Sequence, residues 1–304
     1  MVLALLPLFD DLSGFTKESE TLAKPALTAI GQCMIHDSVI NIDQIARQLE
    51  TASPILDIVL DIDDISVDQQ IQLLDAGAAK VVVSKDQLSE LTDVPAERII
   101  ARLSEDQLAT PAGIEEIADR VSGVIVNSTY SLSVDPESLK SIVKSLRKSV
   151  LPSGVEKAVY LHYTDTTPVP TTAELKSLAL LSICPILSAS YLTSDPKQNS
   201  SLLSVAQIAL LGAKTDRPDG LYTTVVVDEH GVALGLVYSS TESIAETIRT
   251  GTGVYQSRQR GLWYKGATSG ATQEIVAMDW DCDSDCLRFT VKQTGKGLSG
   301  FLTL

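Results

Sequence analysis

From Val2 to about Lys214, short apolar, β-branched runs alternate with amphipathic stretches of helical period, the rhythm of an α/β domain. The runs predict strands over Leu3–Phe9, Ala29–Ile35, Ile55–Asp61, Lys80–Ser84, Arg98–Leu103, Gly123–Asn127, Ala158–His162 and Ile186–Leu192. Between them the spacing predicts helices over Asn41–Glu50, Val67–Ala76, Ile114–Val121, Pro136–Lys148, Thr172–Leu181 and Leu202–Leu211, each long enough for a right-handed crossover. Eight strands joined this way predict a (β/α)8 barrel, with an open doubly wound sheet as the alternative.

The rhythm breaks twice, at the polar stretch Ser194–Ser201 and at Arg217-Pro218-Asp219-Gly220. The pattern beyond is hairpin-like: Leu221–Asp228, a turn at Glu229-His230-Gly231, then Val232–Tyr238. A helix is expected over Thr241–Thr250 with Ser240 as its N-cap, followed by strands over Gly261–Lys265, Glu274–Trp280 and Cys286–Lys292. The reading is a barrel-like domain over residues 1–214 and a smaller α+β domain over residues 215–304.

Composition adds exclusions. A net charge of -15 argues against a general nucleic-acid binder, and no window holds the roughly 18 to 20 consecutive apolar residues that span a bilayer. Four cysteines and no visible secretion signal fit reduced thiols and a cytoplasmic protein. From residue 216 onward there are 8 basic and 11 acidic residues, so most of the acidity belongs to the first domain.

Two local patterns carry chemistry. Arg249 to Gln273 holds Arg249, Arg258, Arg260 and Lys265 and no acid. Such a segment can gather phosphate, with Thr268, Ser269 and Gly270 adding donors in a tight turn; a solvated basic loop is the plainer alternative. The run Asp281-Cys282-Asp283-Ser284-Asp285-Cys286, if extended, puts three carboxylates on one face and two thiols on the other. Carboxylates so placed suit Mg2+ and thiolates suit Zn2+, while a generic acidic turn would need neither.

Several runs in order then resemble one family. These are Arg217-Pro218-Asp219-Gly220-Leu221-Tyr222-Thr223-Thr224, Gly235-Leu236-Val237-Tyr238-Ser239-Ser240, Gly253 to Arg260, Trp263 to Gly270, and Asp281 to Asp285. Together they resemble phosphoribosyl-AMP cyclohydrolase, in the form found in the amino-terminal part of fungal trifunctional histidine-biosynthesis proteins. The resemblance implies hydrolytic opening of the adenine ring of phosphoribosyl-AMP at its N1-C6 bond, with a metal-bound water as nucleophile. It implies Cys282 as a zinc ligand and Asp281, Asp283 and Asp285 as Mg2+ ligands and catalytic residues. Arg258, Arg260, Lys265, Thr268 and Ser269 would contact substrate phosphates, and the site would form in a homodimer. Residues 1–214 are similar to the barrel-like region that precedes the cyclohydrolase in those proteins, itself reminiscent of histidine-pathway isomerase barrels.

The chain departs from the family in two places. Ala267 stands where the family has Glu in its Lys-Gly-Glu-Thr-Ser-Gly loop, and after Gly297 the chain reads Leu298-Ser299-Gly300-Phe301-Leu302-Thr303-Leu304 in place of two further zinc cysteines. Weak or absent zinc binding is expected, as of a domain truncated at its C-terminal end, with Cys286 a core thiol rather than a substitute ligand. A non-catalytic nucleotide-phosphate-binding or assembly module is the alternative function. Within the barrel, Asp10, His36 and His162 fall at strand ends, but no persuasive second acid follows the fifth strand, so a scaffold without isomerase chemistry is expected. His230 reads as a turn residue, and Cys33 and Cys184 read as core thiols.

Overall fold

The computed structural model describes residues 5–10, 24–37, 41–52, 56–104, 107, 111–127, 136–154, 156–164 and 167–295. They form two compact units. One takes in residues 5–10 and 32–189, the other residues 24–31 and 190–295. The cyclohydrolase-like motifs begin near residue 215, and the compact unit that holds them also includes residues 190–214 and the helix at 24–30.

The first unit is a closed barrel of eight parallel strands: β1 (Leu6–Phe9), β2 (Gln32–Asp37), β3 (Asp57–Ile62), β4 (Lys80–Ser84), β5 (Ile99–Arg102), β6 (Gly123–Asn127), β7 (Ala158–His162) and β8 (Ile183–Ser188). Each strand pairs with the next in sequence, and β1 pairs with β8 to close the ring. The barrel expectation holds, and the open sheet is excluded. Each strand contributes one side chain to a central apolar layer: Leu6, Met34, Val59, Val82, Ile100, Ile125, Tyr160 and Ile186, all buried. Burying one such aliphatic side chain stabilises the fold by roughly 1.5–3 kcal/mol. Cys184 packs against the layer and Cys33 is fully buried, as expected of core thiols; burial pushes the Cys184 thiol up to about 12.

Helix boundaries follow local capping chemistry. Numbered in chain order, α1 is Lys24–Ile30, α2 Ile42–Ala52, α3 Val67–Asp75, α4 Lys85–Leu88, α5 Pro111–Glu115, α6 Pro136–Leu146 and α7 Thr172–Leu180. Ser66, Ser84 and Thr171 cap α3, α4 and α7, each in a reciprocal capping box with Gln69, Gln87 and Glu174. Several boundaries differ from the sequence expectation: the helix expected over Ile114–Val121 is Pro111–Glu115 followed by a short 3-10 turn at Ala118–Arg120, and the one expected over Leu202–Leu211 is Val205–Ala209 after a strand at Leu203–Ser204. Ala29 and Ile30 end α1 rather than begin β2, because Gly31 takes φ 77° and donates its N–H to the Leu27 carbonyl, a helix C-terminal cap. The eighth strand starts three residues early, at Ile183, and ends at Ser188.

The second unit contains α1 and also α8 (Val205–Ala209) and α9 (Thr241–Thr250). Short paired strands β9 (Leu192–Thr193) and β10 (Leu203–Ser204) lead into a four-stranded sheet ordered β12-β11-β16-β15. Its members are β11 (Tyr222–Val227), β12 (Ala233–Ser239), β15 (Gln273–Trp280) and β16 (Cys286–Gln293), with β11 and β16 parallel and the outer pairs antiparallel. The hairpin β13 (Val254–Ser257) and β14 (Gly261–Tyr264) stands apart from that sheet, and β13 had no counterpart in the sequence reading. Ser240 caps α9 as expected. A register shift between Ile275 and Ala277 resets the alternation, so Ile275, Met278 and Trp280 all reach the core. The Trp280 ring meets Tyr222 edge-on at 5.3 Å and its Nε1–H donates to the Ala209 carbonyl at 3.1 Å.

Candidate active site

The aspartate run lies in the turn between β15 and β16. The run is not extended, and the carboxylates converge because the chain reverses rather than because alternate residues share a face. The ligand oxygens of Asp281, Asp283 and Asp285 all lie within 4.8 Å of one another. Asp281 organises the turn: its Oδ1 accepts the N–H groups of Asp285 at 3.1 Å and Cys286 at 3.2 Å, and its own N–H donates to the Cys286 carbonyl at 3.0 Å. Ser284 turns the chain at φ 63°, a conformation few non-glycine residues adopt, and its carbonyl accepts the Lys214 N–H at 2.8 Å.

Electrostatics separates Asp281 from Asp285. Burial by itself would raise the Asp281 carboxyl, but the N–H groups of Cys286 and Asp285 outweigh it and hold the group below its ordinary value. Asp285 moves the other way, pushed up first by the charge of Asp283 and then by partial burial and Asp281. Converging carboxylates that repel one another are the donor set of a hard divalent cation, so these residues fit Mg2+.

Zinc is a different case. Cys282 is exposed on the turn, while the Cys286 thiol is pushed up by burial and then by Asp281 and Asp285, which keeps it protonated and a poor ligand. A closed zinc site takes four donors, usually thiolates and imidazoles. Among the described residues the three aspartates are the one group of three or more His, Cys, Asp or Glu with converging ligand atoms, so these residues do not by themselves fit Zn2+. The run after Gly297 lies outside the described residues.

Arg258 and Arg260 occupy the exposed turn between β13 and β14, where the Ser257 Oγ accepts the N–H groups of Gln259 and Arg260 at 3.3 and 3.2 Å. The Arg258 guanidinium lies 5.2 Å from the centre of the Tyr238 ring, and that of Arg217 lies 4.2 Å from it. Arg217 is held by a two-pronged contact to Asp219 at 3.0 and 2.7 Å. The sequence reading did not single out Arg217 or Tyr238 as binding residues, because only the fold brings them to Arg258. Lys265 follows β14, its Nζ 5.4 Å from the Trp263 ring centre, with its N–H bonded to the Gly253 carbonyl at 2.9 Å.

Thr268 and Ser269 are exposed in a loop closed by the Gly270 N–H on the Gly266 carbonyl at 2.8 Å, and Ala267 is exposed beside them. Gly266 is required there: it takes φ 85°, and a Cβ would lie 2.5 Å from the Ala271 carbonyl group. The structure thus gathers the aspartates at one point and places the arginine turn and the glycine loop on and just after the β13–β14 hairpin. His230 sits exposed in the turn after β11, its N–H bonded to Asp228 Oδ1 at 2.9 Å, as a turn residue should.

A family model for phosphoribosyl-AMP cyclohydrolase matches residues 235–298, the stretch that contains the arginine turn, the glycine loop and the aspartate turn. The histidine biosynthesis bifunctional protein his7 of Schizosaccharomyces pombe is 38% identical over 99% of this chain and 70% of its own length. The histidine biosynthesis trifunctional protein of Neurospora crassa is 37% identical over 93% of this chain, which spans only 31% of that protein. The bifunctional protein HisIE of Gloeobacter violaceus is 46% identical over 27% of this chain and 38% of its own length. Similarity that runs through both compact units, with the cyclohydrolase match falling on the aspartate turn, places this chain in the family of histidine-biosynthesis multifunctional proteins that carry a phosphoribosyl-AMP cyclohydrolase domain.

Proposed function

We propose that this chain acts as a phosphoribosyl-AMP cyclohydrolase, hydrolysing the N1-C6 bond of the substrate's adenine ring. The observation that carries the reading is the convergence of Asp281, Asp283 and Asp285 within 4.8 Å on a turn inside the matched family segment. These three hold Mg2+, which when bound supplies charge neutralisation and polarisation of a coordinated oxygen. Arg258, Arg260 and Lys265 hold the substrate phosphate, helped by the hydroxyls of Thr268 and Ser269, and the Tyr238 ring orients Arg258 from behind. Cys282 stands where a zinc donor would, and because no other cysteine or histidine among the described residues converges with it, zinc binding by this chain is weak or absent. The working form is a cytoplasmic homodimer, and residues 1–214 are a degenerate isomerase-like barrel preceding the cyclohydrolase-like residues 215–304.

Ring opening of phosphoribosyl-AMP, followed by absorbance with Mg2+ and Zn2+ added singly and together, tests the reading. Activity that is lost with a chelator, restored by metal and abolished in Asp281→Asn supports it. A second reading, a nucleotide-phosphate-binding module without turnover, is favoured by the lack of a zinc-type donor cluster among the described residues. Calorimetric binding of a nucleoside monophosphate with no ring opening under any metal condition would establish that alternative.

A further inference from the structure

The barrel's interior alternates along each strand, so the residue two positions beyond each core-layer residue faces inward again, nearer the carboxyl-terminal mouth. Leu8, two beyond Leu6, does pack on the core layer. On other strands the same position is polar: His36, Asp61, Arg102, Asn127, His162 and Ser188. An apolar layer here would stabilise the barrel more cheaply, since desolvating charges inside a fold often costs as much as their attraction returns.

Three of these side chains are in contact. Asp61, its side chain 7% exposed, receives Arg102 Nη2 on its Oδ2, and His36 Nδ1 lies 3.4 Å from the same oxygen and 3.0 Å from the Asp61 carbonyl. Arg102 stands on β5 and Asp61 on β3, so the guanidinium reaches past β4. A guanidinium has five N–H donors, and one carboxylate oxygen does not exhaust them. His36 is held in its charged form, raised to about 8 chiefly by its bond to Asp61. Two cations thus share one buried carboxylate, and Asp63, 3.8 Å from His36 Nε2, is a rim charge two-thirds exposed to water. The cluster lies on the barrel face where ligands of such folds bind.

The geometry points to a binding site for a small oxyanion, a carboxylate or a phosphate ester, at the carboxyl-terminal mouth of the barrel, held by Arg102 and His36 with Asp61 as the residue that positions both. This site is separate in residues and chemistry from the cyclohydrolase site and stands whether or not that activity is found.

The full chain has three histidines, so its imidazole NMR spectrum is simple enough to assign by single His→Gln substitutions. The expected result is a saturable shift of the His36 ring signals on titration with inorganic phosphate or with malonate, beyond a chloride control of equal ionic strength. A response to phosphate alone identifies a phosphate ester as the ligand class, and a response to malonate alone identifies a carboxylate. Arg102→Gln should weaken the response at least tenfold, and Arg102→Lys, which keeps the charge without the fork, should weaken it several-fold. Each variant's amide spectrum reports whether the barrel is folded. Absence of a saturable His36 shift with either anion, or a shift unchanged in folded Arg102→Lys and Arg102→Gln, would overturn the assignment.

Discussion

Replacing Asp61 by Asn keeps the shape of the side chain and an oxygen acceptor but removes the charge that His36 and Arg102 share. Burial by itself would push the Asp61 carboxyl up, and His36 and Arg102 together hold it below its ordinary value. The raised His36 value, about 8 against 6.5, corresponds to about 2 kcal/mol at 1.36 kcal/mol per pKa unit. The imidazole is 42% exposed, and solvent screening cuts this to roughly 1 kcal/mol. Turning the Arg102 contact from charge-assisted to neutral removes about 1 kcal/mol more. The variant should therefore lose about 2 kcal/mol near pH 6, or roughly 4–8 °C in Tm at about 2–4 °C per kcal/mol.

The pH dependence has a definite sign. A histidine whose folded pKa lies above its unfolded value contributes fully below about 6.5, and that contribution disappears as pH rises through about 8. The depressed Asp61 carboxyl contributes above the ordinary carboxylate range and loses its effect only in acid. The gap between wild type and Asp61→Asn should be widest at about pH 5–6 and narrower by roughly 1 kcal/mol at pH 9. Urea unfolding at the two pH values, with a histidine NMR titration alongside, measures both quantities. An equal loss at pH 6 and pH 9, or a His36 pKa still near 8 in the variant, would refute the reasoning.

Other substitutions probe the second unit. Tyr255→Phe removes the hydroxyl that donates to Gln273 Oε1 at 2.7 Å in a fully buried setting, and should cost about 1–3 kcal/mol in urea unfolding because that oxygen is left unpaired. Gly266→Ala forces a Cβ to within 2.5 Å of the Ala271 carbonyl at φ 85°; thermal melting should fall and KM for the phosphorylated substrate should rise, since the loop bearing Thr268 and Ser269 must move. Asp283→Asn should weaken Mg2+ binding by about tenfold or more in calorimetry while leaving Tm within about 1 °C, because Asp281 rather than Asp283 ties the turn together.

The barrel was legible in the sequence because parallel strands buried on both faces read as continuous Val, Ile and Leu runs, and because the amphipathic helices between them have a different period. Its edges were less legible. Gly31 is an unremarkable glycine in the sequence, yet as a helix cap it moved the start of β2. The β13 strand was hidden within a segment noticed only for its charge. For the aspartate run, spacing suggested a strand face if the chain were extended, and the chain instead makes a turn fixed by Asp281 and by Ser284 at positive φ.

By itself the sequence determined the fold class, the order of the barrel strands and the residue types of the cyclohydrolase-like segment, all of which depend on local periodicity and on short motifs. Tertiary structure alone decided that Tyr238 lies against both Arg217 and Arg258, and that Asp61 lies between His36 and Arg102. Those groups are 25 and 41 residues from Asp61 along the chain, on β2 beside its own strand and on β5 across β4, and they meet only in the folded barrel. Periodicity assigns a side chain to a face, but an electrostatic partnership depends on distance and burial, and these exist only once the chain has folded.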